Sequence, residues 1–150
     1  MIFETFDATY LNYILNKPSI KNSFGLPIEI DALDCSSLAS DPCYKIITNG
    51  LDAFIIAEQT SPLLFSLHLV FDETCRGKRA LLEGKRLVQW FWDNTQAIML
   101  YGAIPVDNLK SRMICRLFGC KSDGRSILNS PLGSFEAEWF HYARPSEALR

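Results

Sequence analysis

The hydrophobic pattern of this 150-residue chain changes its period once, and that change restricts the fold more than any other feature. Residues 63–71 form a strand-like apolar run, and residues 97–104 form a second one that ends before Pro105. A strand, a helix and a strand in this order predict a parallel crossover. The helix is indicated between the runs, at residues 78–94, where apolar residues recur at the spacing of one helical face: Ala80, Leu87, Val88, Phe91 and Trp92, with Gly84 among them.

A series of short strands precedes the crossover. Residues 44–48 form a β-prone run, Asn49-Gly50 is the strongest two-residue hairpin signal, and residues 53–57 follow as the partner strand. Pro62 ends the next turn before the run at residues 63–71. We therefore predict an antiparallel meander that leads into the crossover.

The first third of the chain is less regular. Asp7 is a suitable cap for a short helix at residues 8–15, and Pro18 is suitable for the first turn of a second one. Residues 25–42 carry Gly, Pro, Asp and Ser at close intervals, which is typical of a long connection. We expect two short helices and then a segment with little regular structure.

After the crossover, residues 108–118 have a helical pattern that Gly119 is placed to end, and residues 134–142 form a last strand. Residues 122–131 between them are predicted to be a loop. The prediction for residues 1–150 is a single α/β domain. Its mixed sheet has helices on its faces, and its antiparallel meander is followed by a β-α-β crossover.

Composition and charge exclude several classes of protein. The 48% hydrophobic and 12% aromatic content is typical of a globular chain, and a net charge of −2 gives no general attraction to nucleic acid or to a membrane. Acidic Glu4 and Asp7 lie where a secretory signal would be basic, and no apolar run reaches the roughly 18–20 residues of a membrane span. We expect a cytoplasmic protein without nucleic-acid or membrane partners.

Cysteines and histidines do not suggest a metal site. The cysteines are odd in number and form no Cys-x-x-Cys pair, and the chain has only two histidines. We therefore expect no bound metal and reduced thiols at Cys35, Cys43, Cys75, Cys115 and Cys120.

A basic segment, Arg76-Gly77-Lys78-Arg79-Ala80, lies where the strand at 63–71 ends and the helix begins. Cations at a helix N-terminus oppose the helix dipole by about 0.3–1 kcal/mol each, so a solvated basic first turn is the less favourable explanation. Free backbone N–H groups and a glycine that permits close approach favour a bound anion such as a pyrophosphate. The alternative is a solvated first turn with no ligand.

A second motif makes the pattern more specific. Asn108-Leu109-Lys110-Ser111 begins the later helix and is followed by Gly119-Cys120 and Gly124. Together with the basic segment, over residues 44–142, this resembles the GNAT acetyltransferases, including those similar to ribosomal-protein acetyltransferases. The resemblance implies splayed parallel strands and an acetyl-CoA or other acyl-CoA cofactor. It also implies transfer of an acetyl group to an amine of a small molecule or a protein.

The same resemblance implies cofactor contacts at Arg76, Gly77, Lys78, Arg79, Ala80, Asn108 and Ser111. Asn108 would reach the pantetheine arm or order the splayed strands, and a helix N-cap is its alternative role.

The sequence departs from the family pattern at four points, one of which is Cys120 in place of the usual phenylalanine after Gly119. Arg79 and Leu81 replace the small residues of the glycine loop, and no tyrosine lies between Asn108 and Gly124 to serve as an acid for the leaving thiolate. Arg79 would either crowd the pyrophosphate or turn outward to the 3′-phosphate of CoA. A looser resemblance, to phage-encoded acetyltransferase-like proteins, gives the alternative function: an inactive GNAT-like protein with an assembly or binding role in the host cytoplasm or the virion.

Acetyl transfer to an amine requires a base, and four residues are candidates. His68 lies mid-strand, where a histidine is commonly structural, and it shares a face with Ser66 and Val70. Asp72 and Glu73 lie at the mouth of the proposed cofactor site, as bases or as surface charges that balance the arginines. The fourth is Glu58.

Three aromatic residues near the end of the chain leave the oligomeric state open. An exposed aromatic edge there would suit a homodimer or an assembly partner, and the alternative is that the three side chains belong to the core: Trp139, Phe140 and Tyr142.

Overall fold

The computed structural model describes residues 1–23, 32–130 and 133–145. In chain order the elements are β1 (Phe3–Glu4), α1 (Ala8–Leu15), α2 (Pro18–Ser23), α3 (Ser36–Ser40), β2 (Tyr44–Thr48), β3 (Ala53–Ser61), β4 (Leu64–Phe71), α4 (Gly77–Asn94), β5 (Met99–Pro105), α5 (Leu109–Phe118), β6 (Lys121–Ser130) and β7 (Gly133–Ala143). The strands form one sheet in the order β1-β2-β3-β4-β5-β7-β6. This is the predicted α/β architecture.

The meander of β2, β3 and β4 is antiparallel, as predicted. The turn between β2 and β3 is wider than the two-residue hairpin that Asn49-Gly50 indicates, because it spans residues 49–52. The side-chain oxygen of Asn49 accepts hydrogen bonds from the N–H groups of Leu51, Asp52 and Ala53, and Gly50 has a φ of 79°. The asparagine therefore holds the turn through its side chain.

The crossover is also confirmed. β4 and β5 pair in parallel, but only through Leu64–Met99, Phe65–Leu100 and Ser66–Tyr101. Beyond Ser66 the two strands continue for several residues without pairing with each other. The sheet is therefore splayed in its middle, at the carboxyl ends of its two parallel strands.

Helices pack on both faces of the sheet. One buried cluster joins α4 to the sheet and includes Phe65, Leu87, Phe91 and Leu100. The other joins α1, α2 and α3 to the opposite face of β2, β3 and β4, and it contains no residue of β5, β6 or β7. Full burial of each large apolar side chain contributes about 1.5–3 kcal/mol, so both clusters stabilise the fold.

Helix ends follow the sequence signals. The carboxylate of Asp7 accepts hydrogen bonds from the N–H groups of Thr9 and Tyr10 and so caps α1. Gly119 ends α5 in the left-handed conformation, with a φ of 85°. Its N–H bonds to the carbonyl of Arg116, and the N–H of Cys120 bonds to that of Cys115.

Two expectations about irregular segments were wrong. Residues 122–131, predicted as a loop, lie almost entirely in β6, an edge strand that pairs with β7 from Lys121–His141 to Ser130–Gly133. Its pattern is weak because most of its side chains are exposed. The connection at 25–42 contains α3, and its residues 25–31 lie outside the described part. Of the aromatic residues near the end of the chain, Phe140 is buried, whereas Trp139 and Tyr142 are half-buried.

Within the described residues, no helix has both the length and the apolar composition required to cross a membrane.

Candidate functional site

The divergence of β4 and β5 creates an opening flanked by two helix N-termini. β4 ends at Phe71 and leads into α4, and β5 ends at Pro105 and leads into α5. Because the two strands are parallel, both helices begin at the same edge of the sheet. Each helix presents its positive dipole end there, so the edge is suited to an anionic ligand.

The first turn of α4 has unused hydrogen-bond donors. Within the described chain, the N–H groups of Gly77, Lys78 and Arg79 have no acceptor, and the N–H of Ala80 makes only a long bond, 3.5 Å, to the carbonyl of Arg76. Gly77 has a φ of 60°, and a Cβ built there would meet no atom within 4 Å. The loop therefore offers both donors and open space.

The three basic side chains of this loop differ in their ion pairs. Arg76 and Lys78 are exposed and make no ion pair within the described part of the chain. The guanidinium of Arg79 instead lies 2.7 Å from the carboxylate of Asp52 and donates to the carbonyl of Thr74 at 3.1 Å. Arg79 thus turns towards the β2–β3 turn, which is how the chain accommodates a long side chain at the small-residue position.

The N-terminus of α5 contributes Asn108 and Ser111. The side-chain oxygen of Asn108 accepts the N–H of Ser111 at 3.1 Å, so the N-cap role holds in this structure. The amide nitrogen of Asn108 and the hydroxyl of Ser111 make no hydrogen bond with the described residues. These two polar groups are available to a ligand in the opening.

The two carboxylates that follow β4, Asp72 and Glu73, differ in burial and in hydrogen bonding. Asp72 is buried, and its oxygens accept from Lys17 Nζ at 2.6 Å, Ser19 Oγ at 2.8 Å and the N–H of Glu73 at 2.7 Å. The hydrogen bond from Lys17 is the main reason that the pKa of Asp72 is lowered from its usual value. Asp72 therefore ties α2 to the end of β4, whereas Glu73 is exposed at the mouth of the opening.

His68 lies on the sheet face opposite α4, because it alternates along β4 with the clustered residues Leu67 and Leu69. Neighbouring groups desolvate the ring and lower the pKa of His68, and the carboxylate of Glu58 partly offsets this effect. The ring still reaches solvent. A histidine with a lowered pKa is mostly neutral at pH 7, so it can accept a proton.

A row of side chains that the sequence did not indicate lies at the point where the parallel pairing of β4 and β5 ends. Cross-strand partners there connect five strands on the face that bears His68, and we call them the apex row: Glu58, Ser66, Tyr101, His141 and Lys121. Only Glu58 was singled out from the sequence. The other four could not be aligned because the register between neighbouring strands depends on long-range pairing, and β6, which carries Lys121, was not recognised as a strand.

Two side-chain contacts order the apex row. The hydroxyl of Tyr101 donates to Thr60 Oγ1 at 2.8 Å. His141 Nδ1 lies 2.7 Å from both carboxylate oxygens of Asp123, a residue at the irregularity where β6 shifts its pairing with β7. The ring of Trp139 lies 6.4 Å from that of Tyr101, centroid to centroid, so aromatic surface adjoins the row.

Comparison with solved structures finds this fold in many acetyltransferases. The GNAT-family acetyltransferase of Streptococcus pneumoniae matches with a TM-score of 0.71 and 14% identity, over 97% of this chain and 99% of that one. An aminoglycoside acetyltransferase in complex with coenzyme A matches with 0.69 and 16%, over 99% and 96%. A Salmonella typhimurium protein with its cofactor acetyl-CoA matches with 0.66 and 10%, over 95% and 92%.

No protein-family model matches the chain, and no curated protein sequence is significantly similar to it. The solved structures cover nearly the whole chain at low identity, which makes the likeness one of fold. The splayed parallel strands that the family resemblance implied are present in this chain. The chain has the fold of the GNAT acetyltransferases.

Proposed function

We propose that the protein is an acetyl-CoA-dependent N-acetyltransferase, with residues 1–150 as one acetyltransferase-like domain. The observation that carries the proposal is the opening between β4 and β5, with unused N–H groups at its mouth on Gly77, Lys78 and Arg79. Solved proteins of the same fold contain coenzyme A or acetyl-CoA, which supports the same class of cofactor here. The proposal covers other acyl-CoA molecules of similar size.

The residues present fit such a cofactor. Three backbone donors and the free cations of Arg76 and Lys78 match the charge and the acceptors of a pyrophosphate. Beyond Ser66, the edges of β4 and β5 that face each other are unpaired, so they can bond to the amides of a pantetheine arm. The free polar groups of Asn108 and Ser111 line the α5 side of the opening.

Proton transfer is the part of the reaction that the protein must supply. Bound acetyl-CoA would supply an acetyl group on a thiol, whose unperturbed pKa near 8.5 makes it a fair leaving group without an acid. This matches a chain with no tyrosine between Asn108 and Gly124. Of the predicted bases, His68 is mostly neutral and reaches solvent, and Glu73 is exposed at the mouth, whereas Asp72 is engaged in the fold.

The acceptor is proposed to be an amine of a small molecule or a protein. The open face that carries the apex row and Trp139 is the surface on which such an acceptor would lie. The protein is proposed to act in the cytoplasm.

Calorimetry with acetyl-CoA tests the cofactor site directly. We expect the double variant Arg76→Ala/Lys78→Ala to bind at least about tenfold more weakly, because hydrogen bonds to charged groups contribute about 1.5–3 kcal/mol each. Lys85→Ala, an exposed lysine further along α4, is the matched control and should bind like the unchanged protein.

Equal binding by the double variant and the control would refute the site. Absence of binding by the unchanged protein at millimolar acetyl-CoA would refute the activity. It would then favour the alternative, a GNAT-like binding or assembly protein, and the search would turn to protein partners.

A further inference from the structure

The apex row places His141 beside the branching point of the sheet, which is the point where β4 and β5 stop pairing and diverge. Ser66 and Tyr101 are the last pair that joins β4 to β5, and His141 is the direct partner of Tyr101 on β7. Side chains of directly opposed residues lie about 4.5–5.5 Å apart on the same face. His141 is therefore one strand from β5 and roughly 10 Å from β4, on the open face of the sheet where the parallel pairing ends.

Asp123 fixes the tautomer of the neutral His141 ring. Its two carboxylate oxygens lie 2.7 Å from Nδ1 of His141, so the neutral ring carries its proton on Nδ1 and donates it to the carboxylate. Nε2 then bears the lone pair. Within the described part of the chain Nε2 has no hydrogen-bond partner, and the His141 side chain is 24% exposed. A substrate proton can therefore reach it.

We propose that His141 is the general base of the acetyl transfer and that Asp123 is its positioning residue. This inference rests on the proposed function, and it replaces none of the cofactor contacts. A carboxylate that holds a histidine in one tautomer leaves the second nitrogen free to accept a proton from the substrate.

The proton balance is simple. The acceptor arrives as an ammonium ion and releases one proton to solvent, and Nε2 of His141 takes the second as the nitrogen bonds to the acetyl carbon. The carbon–sulfur bond breaks, and the thiolate receives the proton held by the imidazolium. In net terms, an ammonium ion and an acetyl thioester give an amide, a thiol and one proton in solution.

Other ionisable groups lie on or near the apex row. Lys121 opposes His141 on β6, Asp123 lies on the same strand, and Tyr101 faces it from β5. Glu58 is three strands away on β3, on the far side of β4 from His141. His68 lies on β4, two residues beyond the row, and is the main competitor.

The chain contains only two histidines, so a small set of variants separates them. We compare His141→Gln, Asp123→Asn and His68→Gln, the last of which tests the competing histidine. Turnover is measured with saturating acetyl-CoA and 2-phenylethylamine, an aromatic amine that could pack against Tyr101 and Trp139. A second assay omits the amine, so that water is the acceptor.

We expect His141→Gln to lower kcat about 100-fold or more with no change in acetyl-CoA affinity, as is typical for loss of a general base. Asp123→Asn should lower kcat by about tenfold. His141→Gln should also flatten the rise of activity with increasing pH, because it leaves no imidazole to be deprotonated, whereas Asp123→Asn keeps the ring and should keep a rise. His68→Gln should retain that rise.

A second readout does not depend on turnover. Long-range ¹H–¹⁵N spectra of the histidine rings should show the Nδ1–H tautomer for His141, lost in Asp123→Asn and retained in His68→Gln. The opposite tautomer in the unchanged protein would overturn the inference.

The outcomes also separate the two proposals. Failure to bind acetyl-CoA overturns both. Binding with turnover that survives His141→Gln, or binding without turnover of either acceptor, overturns only the assignment of His141.

Discussion

Asp72 shows at the scale of one residue how a candidate base becomes part of the framework. The sequence places this carboxylate at the mouth of the site, and the structure places it there too, but bonded to Lys17 and Ser19. The contacts come from a helix about 53 residues earlier, a separation that the local pattern of β4 could not reveal. For the same reason, the contact of Arg79 with Asp52 was beyond sequence analysis.

We predict that Asp72→Asn lowers the free energy of unfolding by about 1–3 kcal/mol at pH 7, because Lys17 and Ser19 lose a charged acceptor in a buried place. The pKa of Asp72 is lowered in the folded state, chiefly by the hydrogen bond from Lys17. Its contribution is therefore complete above the unfolded-state pKa of about 3.9 and disappears as the pH falls through the lower folded-state pKa.

Urea denaturation of both proteins at pH 7 and at decreasing pH measures this contribution. The difference between them should narrow only below about pH 4. Glu73→Gln, one residue away and exposed, is the control and should change stability by less than about 0.5 kcal/mol. A difference that is the same at pH 7 and at pH 2 would argue against the ion pair.

At the scale of elements, Gly84 permits the contact between α4 and its neighbours. A Cβ there would lie 2.6 Å from Phe118 Cζ, 3.0 Å from Phe71 Cζ and 3.1 Å from Leu69 Cδ2. The glycine thus lets α4 approach both the last turn of α5 and the end of β4. Because β4 and α5 form the two sides of the opening, this contact also sets the separation between them.

Gly84→Ala should therefore destabilise the protein by about 1–3 kcal/mol, because overpacking outweighs the gain of up to about 1 kcal/mol in helix propensity. Thermal and urea denaturation measure the change. The double variant Gly84→Ala/Phe118→Leu removes the shortest contact and should recover part of the loss. A more stable single variant would mean that the three side chains move aside freely.

Element prediction from the sequence succeeded where one face of an element is buried. Helix α4 and strands β2 and β4 were recognised because their buried residues impose a period. β6 was missed because nearly all its side chains are exposed, and its strand conformation depends on pairing with β7. Because β6 was missed, the contact of His141 with Asp123 was missed as well. The sequence therefore indicated only the proposed cofactor side of the site.

At the scale of the whole molecule, the sheet is continuous on both sides of its branching point but is joined there by only three residue pairs. The antiparallel part from β1 to β4 is covered by helices on both faces, and α4 and α5 lie on one face of the rest. A ligand in the opening would contact both parts. We therefore expect a bound ligand to protect backbone amides on both sides of the opening as well as in the first turn of α4.

Amide hydrogen exchange with and without coenzyme A measures this coupling. In the free protein, the N–H groups of Gly77, Lys78 and Arg79 should exchange fastest within α4, since they have no acceptor in the described structure, and β6 should exchange faster than the central strand β3. Coenzyme A should slow exchange at those three amides and in the last residues of β4, but leave β6 unchanged. Slowing at β6 alone would place the ligand elsewhere. Slowing at the three amides without β4 would mean that only the phosphates are held and that the opening does not contain the pantetheine arm.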